Sequence, residues 1–289
     1  MADPQWTPFL GLTTVVLVLL LALAKASQGV VGDEPTSLPA GSGDGRDRPT
    51  GRAAARTVER HAFAEGASRP AVPVADDPPE AAREAPAGDR ELTTGTLLAN
   101  VALTQGLFGG VVLAGVFFYG VPARALGVTG DPWNTGFPAV ALGAAFGLVL
   151  WVGNEASASI ADAVGAAYDE GLREVLAPDT GRGWLVLLGA VLPLIAFVEE
   201  FLFRAAIIGV PAAAFGVSPW ALAVLSSAVF AVGHGAQGRV GVAVTGGLGF
   251  VLAAGYVLSG SLLLVVVAHY LVNALEFLVH EWLGAGRLL

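Results

Sequence analysis

The sequence predicts an all-α protein: a polytopic bundle of about seven transmembrane helices, with a disordered loop after the first span. Two observations lead to this fold class. Hydrophobic residues make up 54% of the 289 residues and charged residues 13%, against roughly 25% charged in a typical soluble domain. The apolar residues also fall into runs long enough to cross a bilayer. Every backbone group must be satisfied internally there, so each run is predicted to be helical.

Charge and cysteine content exclude several classes of function. The chain has no cysteine, so it cannot form disulfide bonds or thiolate-ligated metal sites. Its formal net charge is −9, and it shows no basic stretch of the kind that binds nucleic acid. We therefore expect membrane lipid, and no nucleic acid, among its partners.

Two segments precede the main bundle. Residues 1–27 are predicted to be an N-terminal transmembrane anchor, because residues 8–24 form an apolar run without the basic region that begins a secretory signal. Residues 28–91 are rich in glycine, proline, alanine and charged residues, with few large apolar side chains. We predict a disordered acidic linker there, which serves as a tether or as a regulatory, partner-binding segment.

Residues 92–289 are predicted to form the multi-span bundle. The more polar residues 154–182 carry apolar side chains at helical spacing and predict an amphipathic helix at the membrane interface. The run that ends at residue 215 exceeds a bilayer core, so we expect it to tilt, kink at Pro193 or leave the membrane. The predicted spans are residues 94–119, 137–152, part of 184–215, 219–234, 240–258 and 262–282.

The distribution of basic residues predicts the orientation. With an odd number of spans, the single lysine, Lys25, and nearly all arginines lie in segments on one side, and Arg124 lies on the other. Basic residues near span ends favour the cytoplasmic side. We therefore predict a multi-pass protein of the cell membrane, with its N-terminus outside and its C-terminus in the cytoplasm.

Polar side chains inside three of the apolar runs mark the candidate site. A charged group at membrane depth is costly and is by default functional. Each run contains one pair of residues four positions apart, which therefore share one helical face: Glu200 with Arg204, Phe230 with His234, and His269 with Asn273. This spacing predicts that three helices turn polar groups toward one interior. The residues are Glu199, Glu200 and Arg204 in the fourth run, Phe230 and His234 in the fifth, and His269 and Asn273 in the last.

These side chains can support hydrolysis in two ways. A carboxylate beside a histidine can act as a general base toward water, and a second histidine with an asparagine can donate hydrogen bonds to an oxyanion. Alternatively, one or both glutamates and the two histidines could bind Zn²⁺ or another divalent metal, with water in the open position. The set that we prefer is Glu199, His234 and His269. Arg204, one turn from Glu200, could keep that carboxylate ionised or bind a substrate carboxylate.

The order of the motifs resembles that of a known family. Glu-Glu-x-x-x-Arg, Phe-x-x-x-His and His-x-x-x-Asn on successive apolar helices are similar to the pattern of the CPBP family. These are the CAAX-protease and bacteriocin-processing intramembrane proteases, also called Abi. The resemblance covers residues 184–282, and Ala205 stands where the family often has glycine after the arginine. It implies peptide-bond hydrolysis within the membrane, on a membrane-associated protein or peptide.

The family resemblance also implies roles, with the mechanism left open between a metalloprotease and a metal-free glutamate protease. In the metal-free form, Glu199 and His234 activate water, and His269 with Asn273 forms the oxyanion site. We prefer Glu199 over Glu200 as the base. The predicted catalytic residues are Glu199, Glu200, Arg204, His234, His269 and Asn273.

Two other functions are compatible with buried polar groups: a non-catalytic membrane scaffold or immunity-type factor, and a proton-coupled transporter. The complete polar set argues against the scaffold, and the sequence shows no internal repeat of the transporter kind. Further along the last run, Glu276 is interpreted as lining the cavity, and His280, Glu281 and Trp282 as marking the membrane interface.

Overall fold

The structure is a computed structural model that describes residues 3–32, 93–163, 165 and 171–285. From residue 33 onward, the predicted linker lies outside the described residues. Residues 28–32, which the prediction assigned to the linker, belong to the N-terminal helix α1 (Trp6–Gly32). The first helix is therefore longer than the predicted anchor.

The described residues form an all-α bundle, as predicted, and contain no β-strand. Gly260 makes the tight turn between the last two helices, with a φ of 64° that glycine adopts without strain. After α1, the main helices in chain order are α2 (Thr94–Phe118), α3 (Phe137–Ala163), α4 (Gly171–Leu176), α5 (Gly181–Phe215), α6 (Pro219–Gly233), α7 (Gly238–Ser259) and α8 (Leu262–Trp282).

Six of these helices, α1, α2, α3, α5, α7 and α8, are long and apolar enough to cross a membrane. The predicted fifth span, α6, is the exception. It has 15 residues, which is about 22 Å of helix, whereas a bilayer core is about 30 Å thick. The chain is thus a multi-pass membrane protein in which α6 is apolar but shorter than a full span.

The prediction of one amphipathic helix at residues 154–182 is wrong. The third span continues as α3 through Ala163, and Gly165 then forms a turn with a φ of 71°. A separate short helix, α4, follows. The sequence pattern misleads because Asn154 and Glu155 resemble interface residues, whereas their side chains bond to partners on α8.

Helix α5 is continuous over its 35 residues, about 52 Å, but its pitch is not uniform. Two segments, Leu187–Val191 and Phe201–Gly209, are π-helical. The first closely precedes Pro193, which has no backbone N–H to donate. A wider turn therefore occurs next to the position where the sequence predicts a kink.

Side-chain hydroxyls from neighbouring helices bond to the π-helical segments. Ser226 on α6 donates to the carbonyl oxygen of Phe203 at 2.5 Å, and Tyr270 on α8 donates to that of Leu188 at 3.1 Å. Such bonds supply donors to backbone carbonyls where the regular helical ladder is disturbed. They also fix the register of α5 against α6 and α8. Helix α6 ends just before His234, and α8 contains His269.

Glycines allow two close helix contacts near the candidate site. On α3, a methyl group on Gly147 would lie 2.7 Å from the carbonyl oxygen of Ala268 on α8. On α2, a methyl group on Gly109 would lie 2.5 Å from Cγ2 of Val198 on α5. Small residues at such contacts let membrane helices pack closely. The second contact sets α2 beside the two glutamates.

Candidate active site

The acidic pair lies at a change of helical pitch in α5. Glu199 and Glu200 end the α-helical segment Leu192–Glu200, and Arg204 lies in the π-helical segment that follows. A π turn interrupts the regular helix and is frequent at functional sites. The side chains of Glu200 and Arg204 are buried, whereas that of Glu199 is 15% exposed.

Glu200 contacts both Arg204 and His269. Its Oε1 lies 2.7 Å from Nδ1 of His269 and 2.9 Å from Nη1 of Arg204. The second contact is within ion-pair distance, although its angle falls outside hydrogen-bond geometry. Nδ1–H of His269 donates to the carboxylate, which fixes the orientation of the ring. Nε2 of His269 is then the nitrogen that can act on another group.

Arg204 is fully buried, and two further helices hold it. Nη2 donates to the carbonyl oxygen of Gly249 on α7 at 2.8 Å, and the guanidinium carbon lies 4.9 Å from the centre of the Phe230 ring on α6. A methyl group on Gly249 would lie 3.0 Å from the Phe230 ring, so the glycine leaves room for this arrangement. The carboxylate, the carbonyl and the aromatic face all stabilise the positive charge.

Glu199 is the more accessible carboxylate. Its Oε1 accepts a hydrogen bond from Nε2 of Gln105 on α2 at 3.4 Å, and its Oε2 lies 3.8 Å from Nε2 of His269. The longer distance exceeds a hydrogen bond. Gln105 is not among the residues predicted from the sequence. The one feature of the sequence that indicates this residue is its polar amide in an apolar run. It lies one turn before Gly109, where α2 packs closely against α5.

His234 lies just beyond the end of α6. Its Nδ1 lies 2.9 Å from the carbonyl oxygen of Phe230. Among the residues that the structure describes, no carboxylate oxygen lies within 4.0 Å of either ring nitrogen. The predicted contact with Glu199 is therefore not formed. Because α6 ends at Gly233, the backbone of His234 has left the helix, with a φ of −99° and a ψ of 23°.

The Phe230 ring links the two histidines. Its centre lies 4.4 Å from that of the His234 ring and 6.3 Å from that of the His269 ring. Asn273 is half-buried and lies one turn beyond His269 on α8. The structure thus brings side chains of all three motifs to one region of the bundle, between α5, α6 and α8.

The proposed metal ligands do not converge in the same way. The ligand atoms around one ion must lie close together. Those of Glu199, His234 and His269 do not all lie within 4.8 Å of one another. In the described ranges, the group that meets this distance consists of Glu155, Glu276 and His280. A metal held by the first three residues does not fit the observed arrangement.

A second polar cluster lies further along α8 and was not predicted. It consists of Glu155, Arg173, Glu276, His280 and Glu281. Nε2 of His280 lies 2.9 Å from Oε1 of Glu155 on α3 and 3.8 Å from Oε2 of Glu276. Arg173 on α4 contacts Glu276 at 2.9 Å and Glu281 at 2.7 Å. Instead of marking the interface separately, these side chains join α3, α4 and α8 in one network.

Comparison with known families agrees with the motifs. The family model described as "Rce1-like: Type II CAAX prenyl endopeptidase Rce1-like" matches residues 181–275. No curated protein and no solved structure matches the chain. The match contains all three motifs and leaves α1 to α4, Glu276 and His280 outside. Residues 181–275, about a third of the chain, are therefore similar to the Rce1-like type II CAAX prenyl endopeptidases, which agrees with the resemblance that the three motifs carry.

Proposed function

We propose that the protein hydrolyses a peptide bond of a membrane-associated protein or peptide, with Glu199 as the base that activates water. One observation carries the proposal. The accessible carboxylate of Glu199 faces Nε2 of His269 at 3.8 Å, while buried Glu200 fixes the other nitrogen of that ring. This arrangement supports a base and a hydrogen-bond donor on two sides of one reacting centre.

The proposed mechanism uses His269 as an imidazolium, so that both of its ring N–H groups can donate. Glu199, Glu200, Arg204 and an imidazolium at His269 form a set without net charge, which lowers the cost of placing ionic groups at membrane depth. Nδ1–H then donates to Glu200, and Nε2–H is available for an oxyanion. Glu200 and Arg204 act through His269 and are positioning residues.

The reaction follows from these roles. Glu199 takes a proton from water, and the water oxygen bonds to the carbonyl carbon of the substrate. The carbonyl oxygen becomes an oxyanion that accepts hydrogen bonds from His269 Nε2–H and from the side-chain amide of Asn273. When the C–N bond breaks, the proton on Glu199 passes to the leaving amine. His234, with Nδ1 held by its own helix, offers Nε2 as a second contact to the water.

A metal-assisted reaction, with Zn²⁺ or another divalent ion on Glu199, His234 and His269, is the alternative proposal. It requires the ligand atoms to move together from their present positions. Metal-free protein that keeps the full cleavage rate supports the glutamate mechanism. A rate that depends on metal after the second polar cluster has been removed supports the alternative.

Purified full-length protein in lipid vesicles tests the proposed activity. We expect it to cleave a membrane-embedded reporter peptide, with product masses that identify the bond, and we expect no product from the Glu199→Ala/His234→Ala variant. Each reporter is offered with and without a prenylated cysteine near its C-terminus, which tests recognition of the prenyl group. If the variant releases the same products at the wild-type rate, the assignment of the site is wrong.

We also propose that the N-terminus lies outside and the C-terminus in the cytoplasm, from the distribution of basic residues. With six long spans, this orientation requires the shorter helix α6 to cross the membrane as well. The chain contains no cysteine, so single cysteines can be labelled without background. Gly130→Cys, between α2 and α3, is expected to react with an impermeant maleimide on intact cells. Asp179→Cys, between α4 and α5, is expected to react only after permeabilisation. The reverse pattern would establish the opposite orientation.

Gln105 tests how Glu199 is held. Gln105→Leu is expected to lower kcat about tenfold with little change in KM, because a hydrogen bond to a charged group contributes about 1.5–3 kcal/mol and this one is long. Reporter cleavage in vesicles measures both constants. Thr104→Val, at the neighbouring position of α2, is the matched control and is expected to keep the wild-type rate. An unchanged kcat in Gln105→Leu would mean that Glu199 keeps its position without this bond.

A further inference from the structure

We propose that Glu155, Glu276 and His280 bind one divalent transition-metal ion, at a site separate from the Glu199–His269 pair. One ligand atom from each of the three residues lies within 4.8 Å of the other two. The side chains of Glu155, Glu276 and His280 are 1%, 15% and 7% exposed, unlike the solvated acidic groups that often cluster on protein surfaces. One imidazole and two carboxylates are ligands that Zn²⁺ accepts, with water completing the coordination.

The orientation of His280 supports this assignment. Its Nδ1 lies 3.0 Å from the carbonyl oxygen of Ala285, so Nδ1 carries the hydrogen and donates it. Nε2 then points at the two carboxylates, 2.9 Å from Glu155 and 3.8 Å from Glu276. Metal-ligating histidines typically donate their other ring N–H to a backbone carbonyl or a carboxylate in this way.

The carboxylate of Glu276 is held from outside the metal-ligating group. Asn154 Nδ2 donates to its Oε1 at 2.9 Å, and Arg173 Nη1 donates to its Oε2 at 2.9 Å. Ligating carboxylates are commonly hydrogen-bonded to such outer partners, which orient them toward the ion. Glu276 is therefore fixed by groups on α3 and α4, while Glu155 and His280 approach it from α3 and α8.

The proposed metal site lies on the same helix as two of the hydrolytic residues. Glu276 lies three residues, and His280 seven residues, after Asn273 on α8. An ion bound there would tie α3 to the helix that carries His269 and Asn273. A chelator that removes this ion could lower the cleavage rate without touching the hydrolytic residues. Sensitivity to chelation alone would then not assign a metal to the Glu199 site.

Metal content measured on the purified full-length protein tests the proposal. The protein is prepared with a tag that contains no histidine, loaded with Zn²⁺, dialysed and analysed by mass spectrometry. We expect about one ion per chain in the wild type and loss of that ion in both Glu155→Gln and His280→Gln. We also expect a Tm that rises with Zn²⁺ concentration in the wild type but not in these two variants.

Two matched variants locate the ion. Glu281→Gln removes a neighbouring carboxylate outside the metal-ligating group, and Glu199→Gln changes the hydrolytic site; both are expected to retain the ion. The proposal is overturned if the wild type binds no ion, which would leave the contact of His280 with Glu155 as a direct hydrogen bond. It is equally overturned if the ion is lost in Glu199→Gln and kept in Glu155→Gln.

Discussion

Glu199→Gln is expected to lower kcat for peptide cleavage by about 10³-fold, since a positioned general base contributes about 10² to 10⁴ in rate. The amide cannot take the proton from water, although it keeps the size and shape of the carboxylate. The fold should be unaffected, because the side chain is 15% exposed and its contacts are long, 3.4 Å to Gln105 and 3.8 Å to His269. Reporter cleavage in vesicles and the Tm in detergent measure the two effects.

Glu200→Gln is the matched comparison, since it makes the same chemical change at the next residue. The carboxylate of Glu200 is buried and bonded to His269, so this substitution is expected to lower the Tm as well as the rate. The roles are reversed if Glu199→Gln cleaves at the wild-type rate while Glu200→Gln is inactive with an unchanged Tm. In that case Glu200 is the base and Glu199 is dispensable for the chemistry.

How much of the site the sequence predicts depends on whether the partners share a helix. Glu200 with Arg204, and His269 with Asn273, follow from the four-residue spacing alone. Contacts between helices depend on packing and on where each helix ends. The family resemblance implied a pairing of Glu199 with His234, and such a contact depends on where α6 ends. The helix ends at Gly233, so the backbone of His234 lies outside it.

The changes of pitch in α5 have no signal in local composition. Apart from Arg204, the segment Phe201–Gly209 is as apolar as the rest of the run, and its Phe203 accepts a hydrogen bond from Ser226 on α6. The extension of α3 past residue 152 is also not indicated by local composition. Asn154 and Glu155 indicate a membrane interface unless their partners on α8 are known, and those partners are more than a hundred residues away in the chain.

Arg204→Met is expected to lower the free energy of unfolding by about 3–5 kcal/mol, the range for removing one partner of a buried ion pair. The guanidinium has no exposed surface and lies 2.9 Å from Glu200. Without it, Glu200 is buried with a negative charge, and the carbonyl of Gly249 loses a hydrogen bond of 2.8 Å. Unfolding in mixed detergent micelles measures the loss, with exposed Arg239→Met as the control that should change little.

The double variant Arg204→Met/Glu200→Gln separates the charge from the packing. If the net negative charge that remains in the buried site causes the loss, neutralising Glu200 is expected to recover most of the stability of the single variant. The cleavage rate should nevertheless stay low, because the neutral amide at residue 200 cannot hold an imidazolium at His269 for the oxyanion. A double variant that is less stable than Arg204→Met alone would instead show that the hydrogen bond from His269 to Glu200 contributes more than the ion pair.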